Sequence, residues 1–142
     1  MSLRVVTGTA SRALAAAIAA ELGTVPGRSE VERFPDGELR PAVDEMRDDD
    51  VYVVHSTGPA VNDHVVELLV LLDACRRAGA ERRTAVVPYV GYARQDRRGR
   101  PGQAVAARVV ADAITVAGAH RVVVVDPTPL PSRPCSPSPS RC

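Results

Sequence analysis

Short valine-rich runs alternate with longer amphipathic stretches along the chain, and this alternation constrains the fold more than any other feature of the sequence. Runs such as "DVYVVHS" are apolar at nearly every position, as in parallel strands that are buried on both faces. The stretch "VNDHVVELLVLLDACRRAGA" instead repeats its apolar residues every three to four positions, which is typical of a helix. Strands are predicted at Leu3–Gly8, Ser29–Phe34, Asp50–Ser56, Arg83–Val90 and His120–Asp126, and helices at Ser11–Gly23, Val61–Ala80 and Ala104–Ala119. This order predicts an α/β domain over residues 1–126, with helices on both faces of a parallel sheet.

The helix ends carry residues that commonly cap helices. Ser11 is a candidate N-cap for the first helix, and Gly23 is a candidate C-cap. Asn62 and Asp63 have the side-chain chemistry of N-caps for the long second helix, so they need no other role. "PDGEL" (Pro35–Leu39) has the composition of a turn.

Composition excludes several classes of function. The net charge is +1 and aromatic residues make up 3% of the chain, so a nucleic-acid interface is poorly supplied with both charge and stacking surfaces. No signal peptide is evident, and no apolar run approaches the roughly 20 residues of a membrane helix. The cysteines (Cys75, Cys135 and Cys142) have neither zinc-site spacing nor a disulfide pattern. We expect a cytoplasmic protein that contacts no nucleic acid and no membrane.

A proline-rich segment, "PTPLPSRPCSPSPSRC", follows Asp126 without transition. Proline at almost every second or third position removes the backbone donors that a strand or helix needs. Residues 127–142 are therefore predicted to be a disordered Pro/Ser-rich tail. A ligand for a proline-recognising domain is the functional alternative.

Three polar segments follow predicted strands, and in a doubly wound sheet ligands bind at that carboxyl edge. They are "FPDGE", "HSTGPAVND", which contains "STGP" (Ser56–Pro59), and the arginine-rich loop that begins at "YARQDRR". The loop holds Arg94, Arg97, Arg98 and Arg100, which suit either a polyanionic ligand or a solvated surface. "STGP" is either an anion-binding turn or a cap. An ordinary turn is the alternative for "FPDGE".

The histidines and the nucleotide motifs give little support to other chemistry. His55, His64 and His120 lack a Ser, Cys or carboxylate partner at an interpretable spacing, so structural roles are expected for all of them. Neither GxGxxG nor GxxxxGK[ST] occurs, so the sequence supports neither dinucleotide nor P-loop machinery.

Three stretches together resemble one family. "RFPDGEL", "STGPAVNDHVVELLVLLDACRRAGAERRTAVVPYVGYARQDRR" and "VADAITVAGAHRVVVVD" are similar, in order and spacing, to the N-terminal half of ribose-phosphate pyrophosphokinase (PRPP synthetase). The resemblance covers about Arg4 to Asp126. It implies a phosphoribosyltransferase-like, Rossmann-like N-terminal domain. It also implies transfer of the diphosphoryl group of ATP to ribose 5-phosphate, giving PRPP and AMP, with Mg²⁺.

The resemblance also implies roles for individual residues. Arg94 and Gln95 would contact ATP, and Asp96 and Arg97 would support their loop. The adenine end of ATP would bind a turn of a neighbouring subunit, formed by Phe34, Asp36, Gly37 and Glu38. The Phe34 ring would stack on adenine, and the carboxylates of Asp36 and Glu38 would accept from the adenine amino group. A site split in this way implies a homo-oligomer, a hexamer in the family.

The departures from the family concern catalysis and metal binding. The family continues after Asp126 with Leu-His, and that His helps to hold magnesium-ATP; Pro127 and Thr128 stand there in this chain. Asp126 is left as a weak metal-ligand candidate. The family's catalytic Lys and Arg belong to a second domain, and this chain contains no Lys, so no catalytic residue is assigned. We expect an inactive fragment, truncated or frameshifted after Asp126, with the family sequence continuing downstream in another reading frame.

The sequence also allows functions other than that of an inactive fragment. The main alternative is a non-catalytic, ATP-binding regulatory subunit that associates with full-length PRPP synthetase. An arginine-rich nucleic-acid binder and a phosphoribosyltransferase of related fold are weaker alternatives. The truncated reading further predicts that "RVVVV" forms an exposed apolar sheet edge and that the chain is prone to aggregate.

Overall fold

The computed structural model describes residues 2–125 as an α/β domain. Most predicted elements are present, with ends that differ by a few residues. The strands are β1 (Leu3–Thr7), β2 (Ser29–Arg33), β3 (Leu39–Val43), β4 (Asp50–Val54), β5 (Arg82–Val87) and β6 (Arg121–Val124), and the helices are α1 (Arg12–Glu21), α2 (Val61–Arg77) and α3 (Ala106–Ala117). The predicted tail and Asp126 lie outside the described residues.

A four-stranded sheet in the order β1-β4-β5-β6 forms the centre of the domain. All of its neighbouring strands pair in parallel. β4 is an inner strand, and its Val53 pairs with Val6 of β1 on one side and Ala85 of β5 on the other. The predicted parallel sheet is therefore confirmed.

Helices cover both faces of this sheet, as the uninterrupted valine runs predicted. Successive strand residues point to opposite faces, so Val5 and Val6 enter different cores. Val5 packs with Ala15 and Ala19 of α1. Val6 belongs to the larger core, which α2 and α3 supply from the other face with Val65, Leu68, Leu71, Leu72, Cys75, Val110 and Ile114.

The segment between α1 and β4 differs from the prediction. Ser29–Phe34 was expected to supply a strand whose carboxyl end belongs to the parallel sheet. Instead β2 pairs antiparallel with β3, a strand that the sequence did not predict, in a separate two-stranded sheet. Pro41 lies within β3 and argues against a strand, yet a two-stranded hairpin leaves an outer edge where proline needs no ladder donor.

The predicted helix caps are corrected in part. Ser11 occupies the N-cap position of α1 but makes no capping bond; its hydroxyl accepts from Ser56 N–H at 2.9 Å. Gly23 follows the C-cap residue with φ of +69°, a left-handed conformation that favours glycine. The prediction for Asn62 and Asp63 is wrong, because both lie inside α2, whose N-cap position is Ala60.

The outer strand β6 exposes apolar side chains. Val122 and Val123 keep 46% and 44% of their surface accessible, in agreement with the predicted apolar edge. β6 has no further partner strand within residues 2–125. No helix in this part of the chain is long and apolar enough to cross a bilayer. Aggregation of the chain stays a prediction.

We predict that Leu68→Ala lowers the free energy of unfolding by about 2–5 kcal/mol, because Leu68 is fully buried in the larger core. Val66→Ala is the matched control: it lies on the same helix, is 51% exposed, and should change stability by less than about 0.5 kcal/mol. Urea unfolding followed by circular dichroism measures both. Equal transition midpoints for the two variants would contradict the assigned core face of α2.

Candidate functional site

The loops that follow β4 and β5 meet at the carboxyl edge of the sheet, and Thr57 joins them. Its backbone N–H and its hydroxyl both donate to Tyr89 O, at 3.0 and 2.8 Å. The same hydroxyl oxygen accepts from Gly91 N–H at 2.7 Å. Thr57 is 1% exposed, so these bonds form away from water and hold the two loops firmly together.

Gly91 allows the arginine-rich loop to leave β5 close to the start of α2. A Cβ at this position would lie 2.4 Å from Val61 Cγ1 and 2.7 Å from Thr57 O, too close for any side chain. The next residue, Tyr92, has φ of +66°, and its hydroxyl donates to Asn62 Oδ1. Asn62, which was expected to cap α2, therefore positions the loop instead.

A cavity of about 300 Å³ opens where this loop turns away from the sheet. Its lining includes Arg94 and Gln95, together with Val61, Tyr89, Val90, Tyr92 and Ala93. Gln95 N–H donates to Tyr92 O at 2.9 Å, and Gln95 O accepts from Ala107 N–H at 3.1 Å. The backbone of Gln95 is thus fixed to the first turn of α3, and the exposed Arg94 side chain lies at the cavity wall.

The rest of the arginine-rich loop runs over the surface. Asp96 is partly buried, and one of its oxygens lies 3.9 Å from Arg97 Nε. Gly99 N–H donates to Gln103 Oε1 at 2.9 Å and closes the far end of the loop. Arg98 and Arg100 are exposed. The loop therefore exposes its arginines, with Arg94 at the cavity, while its backbone is tied down at both ends.

The "FPDGE" turn forms the tip of the β2–β3 hairpin. Phe34 N–H donates to Glu38 O at 2.8 Å, and Gly37 N–H donates back to Phe34 O at 2.9 Å. Gly37 has φ of +94°, and Asp36 Oδ1 accepts from Glu38 N–H at 3.0 Å. The expected convergence of three segments at one sheet edge is therefore wrong for this turn, because its strands are not part of the parallel sheet.

The "STGP" segment serves as a structural turn. The N–H groups of Ser56, Thr57 and Gly58 donate to Ser11 Oγ, Tyr89 O and Ser56 Oγ. Because internal acceptors already take these donors, the geometry favours the structural alternative over an anion-binding turn.

A buried polar cluster beneath the site is a feature that the sequence reasoning missed. Glu67 of α2 is 1% exposed and accepts from the backbone N–H and the hydroxyl of Thr9, at 2.6 and 2.8 Å. His55 is fully buried beside it, with Nε2 3.9 Å from Glu67 Oε2. A Cβ on Gly8 would lie within 2.6 Å of both side chains. The sequence did contain an indication of this cluster, because Glu67 adjoins Leu68 on the apolar face of the predicted helix.

The state of His55 follows from its surroundings. Nε2 lies 3.1 Å from His64 O, and since a carbonyl only accepts, Nε2 carries the hydrogen in this arrangement. Nδ1 is buried without a hydrogen-bond partner among the described residues. Burial lowers the pKa of His55 against the opposing attraction of Glu67. The structural role expected for His55 is consistent with this neutral, enclosed ring.

Side chains that could bind a metal ion do not cluster in the part of the chain that the structure describes. Residues 2–125 contain no group of three or more His, Cys, Asp or Glu side chains arranged to hold a metal ion. Burial raises the pKa of Cys75 to about 12, so this core thiol stays protonated. The expected ligand, Asp126, lies beyond the described residues and stays a prediction.

Fold and site together define an α/β domain of the phosphoribosyltransferase-like type, with a cavity at the carboxyl edge of its parallel sheet. Residues 3–118 match the family described as the N-terminal domain of ribose phosphate pyrophosphokinase. The chain belongs to the ribose-phosphate pyrophosphokinase family, whose members are transferases of the kinase type.

Individual relatives agree with this assignment. Ribose-phosphate pyrophosphokinase 1 of Spinacia oleracea is 46% identical over 125 residues, which cover 87% of this chain and 37% of the relative. The Agrobacterium fabrum enzyme is also 46% identical, with 87% and 40% covered. The crystal structure of phosphoribosylpyrophosphate synthetase from Mycobacterium smegmatis superposes with a TM-score of 0.84 at 35% identity, covering 89% of this chain and 43% of that one. The chain thus spans about two fifths of the length of these relatives.

We predict that Thr57→Val lowers the free energy of unfolding by about 1–3 kcal/mol, because it leaves the buried Gly91 N–H without an acceptor. Thr57→Ser keeps the hydroxyl and should retain most of this stability. Thermal unfolding of the two variants beside the parent measures the difference. A valine variant that melts with the parent would contradict the assigned role of the Thr57 hydroxyl.

We predict that stability falls as the pH drops below about 6.5, because the unfolded chain then binds a proton that buried His55 resists. The contribution of His55 should be level above that pH and be lost progressively as the pH falls through and below 6.5. His55→Gln, which can still donate to His64 O, should flatten this slope. Urea midpoints measured across the range test it. Parallel slopes for the parent and the variant would assign the pH dependence to other groups.

Proposed function

We propose that this chain provides ATP-binding contacts of a ribose-phosphate diphosphokinase, the enzyme that transfers a diphosphoryl group from ATP to ribose 5-phosphate. One observation carries the proposal: Arg94 and Gln95 line the same cavity at the carboxyl edge of the sheet, in a chain that belongs to this family. The products would be PRPP, a precursor for nucleotide biosynthesis, and AMP.

The charge of the arginine-rich loop suits the chemistry of this reaction. Diphosphoryl transfer develops negative charge on phosphate oxygens, so a protein accelerates it mainly by positioning and neutralising those oxygens. A guanidinium presents paired N–H donors that match two oxygens of one phosphate. In the proposed complex Arg94 and Gln95 contact ATP, and Asp96 and Arg97 hold the loop in place.

The adenine contacts are proposed for the tip of the β2–β3 hairpin. Phe34 offers a partly exposed ring for stacking, and the carboxylates of Asp36 and Glu38 can accept from the adenine amino group. Gly37 permits the tight turn that brings these groups together. Because the hairpin is a sheet of its own, we propose that it serves the cavity of a neighbouring copy, in a homo-oligomer of the family's hexameric type.

Magnesium is proposed to bind together with the phosphates of ATP. Mg²⁺ prefers carboxylate, water and phosphate oxygens and usually keeps several waters, so it needs only one or two protein ligands. Asp126 is the residue of this chain that would contribute. Bound magnesium would neutralise part of the phosphate charge, and Arg94 would supply a fixed positive charge beside it.

Transfer itself is proposed to need groups that this sequence does not contain. The family resemblance implies a catalytic Lys, and the chain has no Lys at all. We therefore infer that the chain by itself releases no AMP from ATP and ribose 5-phosphate. A second candidate function is that of a regulatory subunit for full-length PRPP synthetase. It is favoured because the chain has both proposed ATP-contact segments, the arginine-rich loop and the "FPDGE" turn, but no Lys.

We predict that Arg94→Gln weakens binding of magnesium-ATP about 10- to 100-fold, the effect of losing a charged hydrogen bond to phosphate. Arg47→Gln is the control: it also removes one exposed arginine, which pairs with Glu45 on the surface. Isothermal titration of the full chain measures both. Equal affinities for the two variants would refute a specific contact of Arg94 with ATP.

We predict that the chain joins full-length PRPP synthetase if it is a regulatory subunit. Co-expression of the tagged chain with an untagged full-length family member should give a mixed complex whose AMP release differs from that of the full-length enzyme alone. Mass photometry and an AMP assay measure assembly and activity. A chain that assembles only with itself, or stays monomeric, would rule out the regulatory role.

A further inference from the structure

One face of the β2–β3 hairpin carries three side chains in contact. Glu32 of β2 lies directly opposite Arg40 of β3, and Arg40 donates to Glu32 Oε2 from Nε at 3.1 Å and from Nη2 at 2.5 Å. Phe34 lies one residue beyond the end of β2, with its ring beside Arg40. The Arg40 Cζ atom lies 5.1 Å from the centroid of the Phe34 ring.

The order of these contacts makes Arg40 a bridge between a carboxylate and a ring. A guanidinium is attracted to the negative face of an aromatic ring at this distance. Both bonds from Arg40 end on Glu32 Oε2, and they hold the guanidinium beside the ring. The other hairpin arginine near the turn, Arg33, donates instead to Gly37 O at 3.4 Å and supports the turn backbone.

We propose that Arg40, held by Glu32, is a positioning residue that fixes the Phe34 ring and backs one of its faces, leaving the opposite face to stack on the flat ring of a nucleotide base. This inference rests on the proposed ATP-binding function and adds the residues that prepare the adenine contact. Nothing in the resemblance assigned a role to Glu32 or Arg40.

Two physical effects follow from this arrangement. A ring that is already ordered loses less conformational freedom when a ligand stacks on it, and each side chain ordered on binding costs about 0.5–1.5 kcal/mol. A cation on one face also withdraws negative charge from the ring, which eases stacking against an electron-rich base. Removing Arg40 should therefore weaken binding of ATP by about two- to tenfold.

The single Phe of the sequence makes the contact directly observable. The full chain labelled with 4-fluorophenylalanine gives one ¹⁹F resonance, at position 34. Without nucleotide, Arg40→Gln should shift this resonance, and Arg40→Lys, which keeps the cation, should shift it less. Arg28→Gln is the charge-matched control, because Arg28 pairs with Glu30 beside the same hairpin and should leave the resonance in place.

Titrations with ATP and with inorganic tripolyphosphate distinguish binding of the adenine ring from binding of the phosphate charge. We expect Arg40→Gln to weaken ATP binding two- to tenfold. The affinity for tripolyphosphate should be the same for Arg40→Gln as for Arg28→Gln. Equal losses for ATP and tripolyphosphate would overturn the proposal, since Arg40 would then act on phosphate charge. An unmoved resonance in nucleotide-free Arg40→Gln would overturn it as well.

The same spectra test the proposed function separately. If ATP leaves the Phe34 resonance of the parent unchanged while Arg40→Gln shifts it, the contact between Arg40 and the ring exists but serves no nucleotide. That result would refute the adenine role of the hairpin, and with it the ligand part of this inference. A resonance that responds to ATP but not to the loss of Arg40 would refute only the role of Arg40.

Discussion

The pairing of β4 between β1 and β5 is the constraint on which the rest of the structure depends. Val51, Val53 and Val54 are fully buried, and they alternate between the core under α1 and the larger core under α2 and α3. A strand buried on both faces requires helices on both sides, which fixes the layers of the domain. Its carboxyl end also sets where the site lies, because the loop after β4 meets the loop after β5 there.

The site is rigid where it joins the sheet and open where a ligand would enter. Thr57 and Gly91 lock the two loops through buried hydrogen bonds, and the backbone of Gln95 is tied to α3. Beyond these anchors the arginines of the loop are exposed, and Arg94 lines the cavity. An ordered backbone that carries exposed cationic side chains can neutralise a polyanion without rearranging its own fold.

Two of the buried polar side chains, those of Glu67 and His55, tie helix α2 to the segments that follow β1 and β4. Glu67 brings a carboxylate to the buried face of α2, where the backbone N–H and the hydroxyl of Thr9 compensate for its burial. His55 stays neutral beside it because burial opposes its protonation. This cluster holds the loop between β1 and α1, just as Thr57 holds the loops of the site.

Local periodicity by itself located the strands of the parallel sheet and the helices along the chain, because valine runs and three-to-four spacing report burial directly. The motif residues also marked Arg94 and Gln95, which the fold then placed at one cavity. Only the tertiary structure decided that residues 29–33 pair with β3, a strand containing Pro41, and that Glu67 reaches Thr9. These choices depend on contacts between distant parts of the chain, which no local pattern encodes.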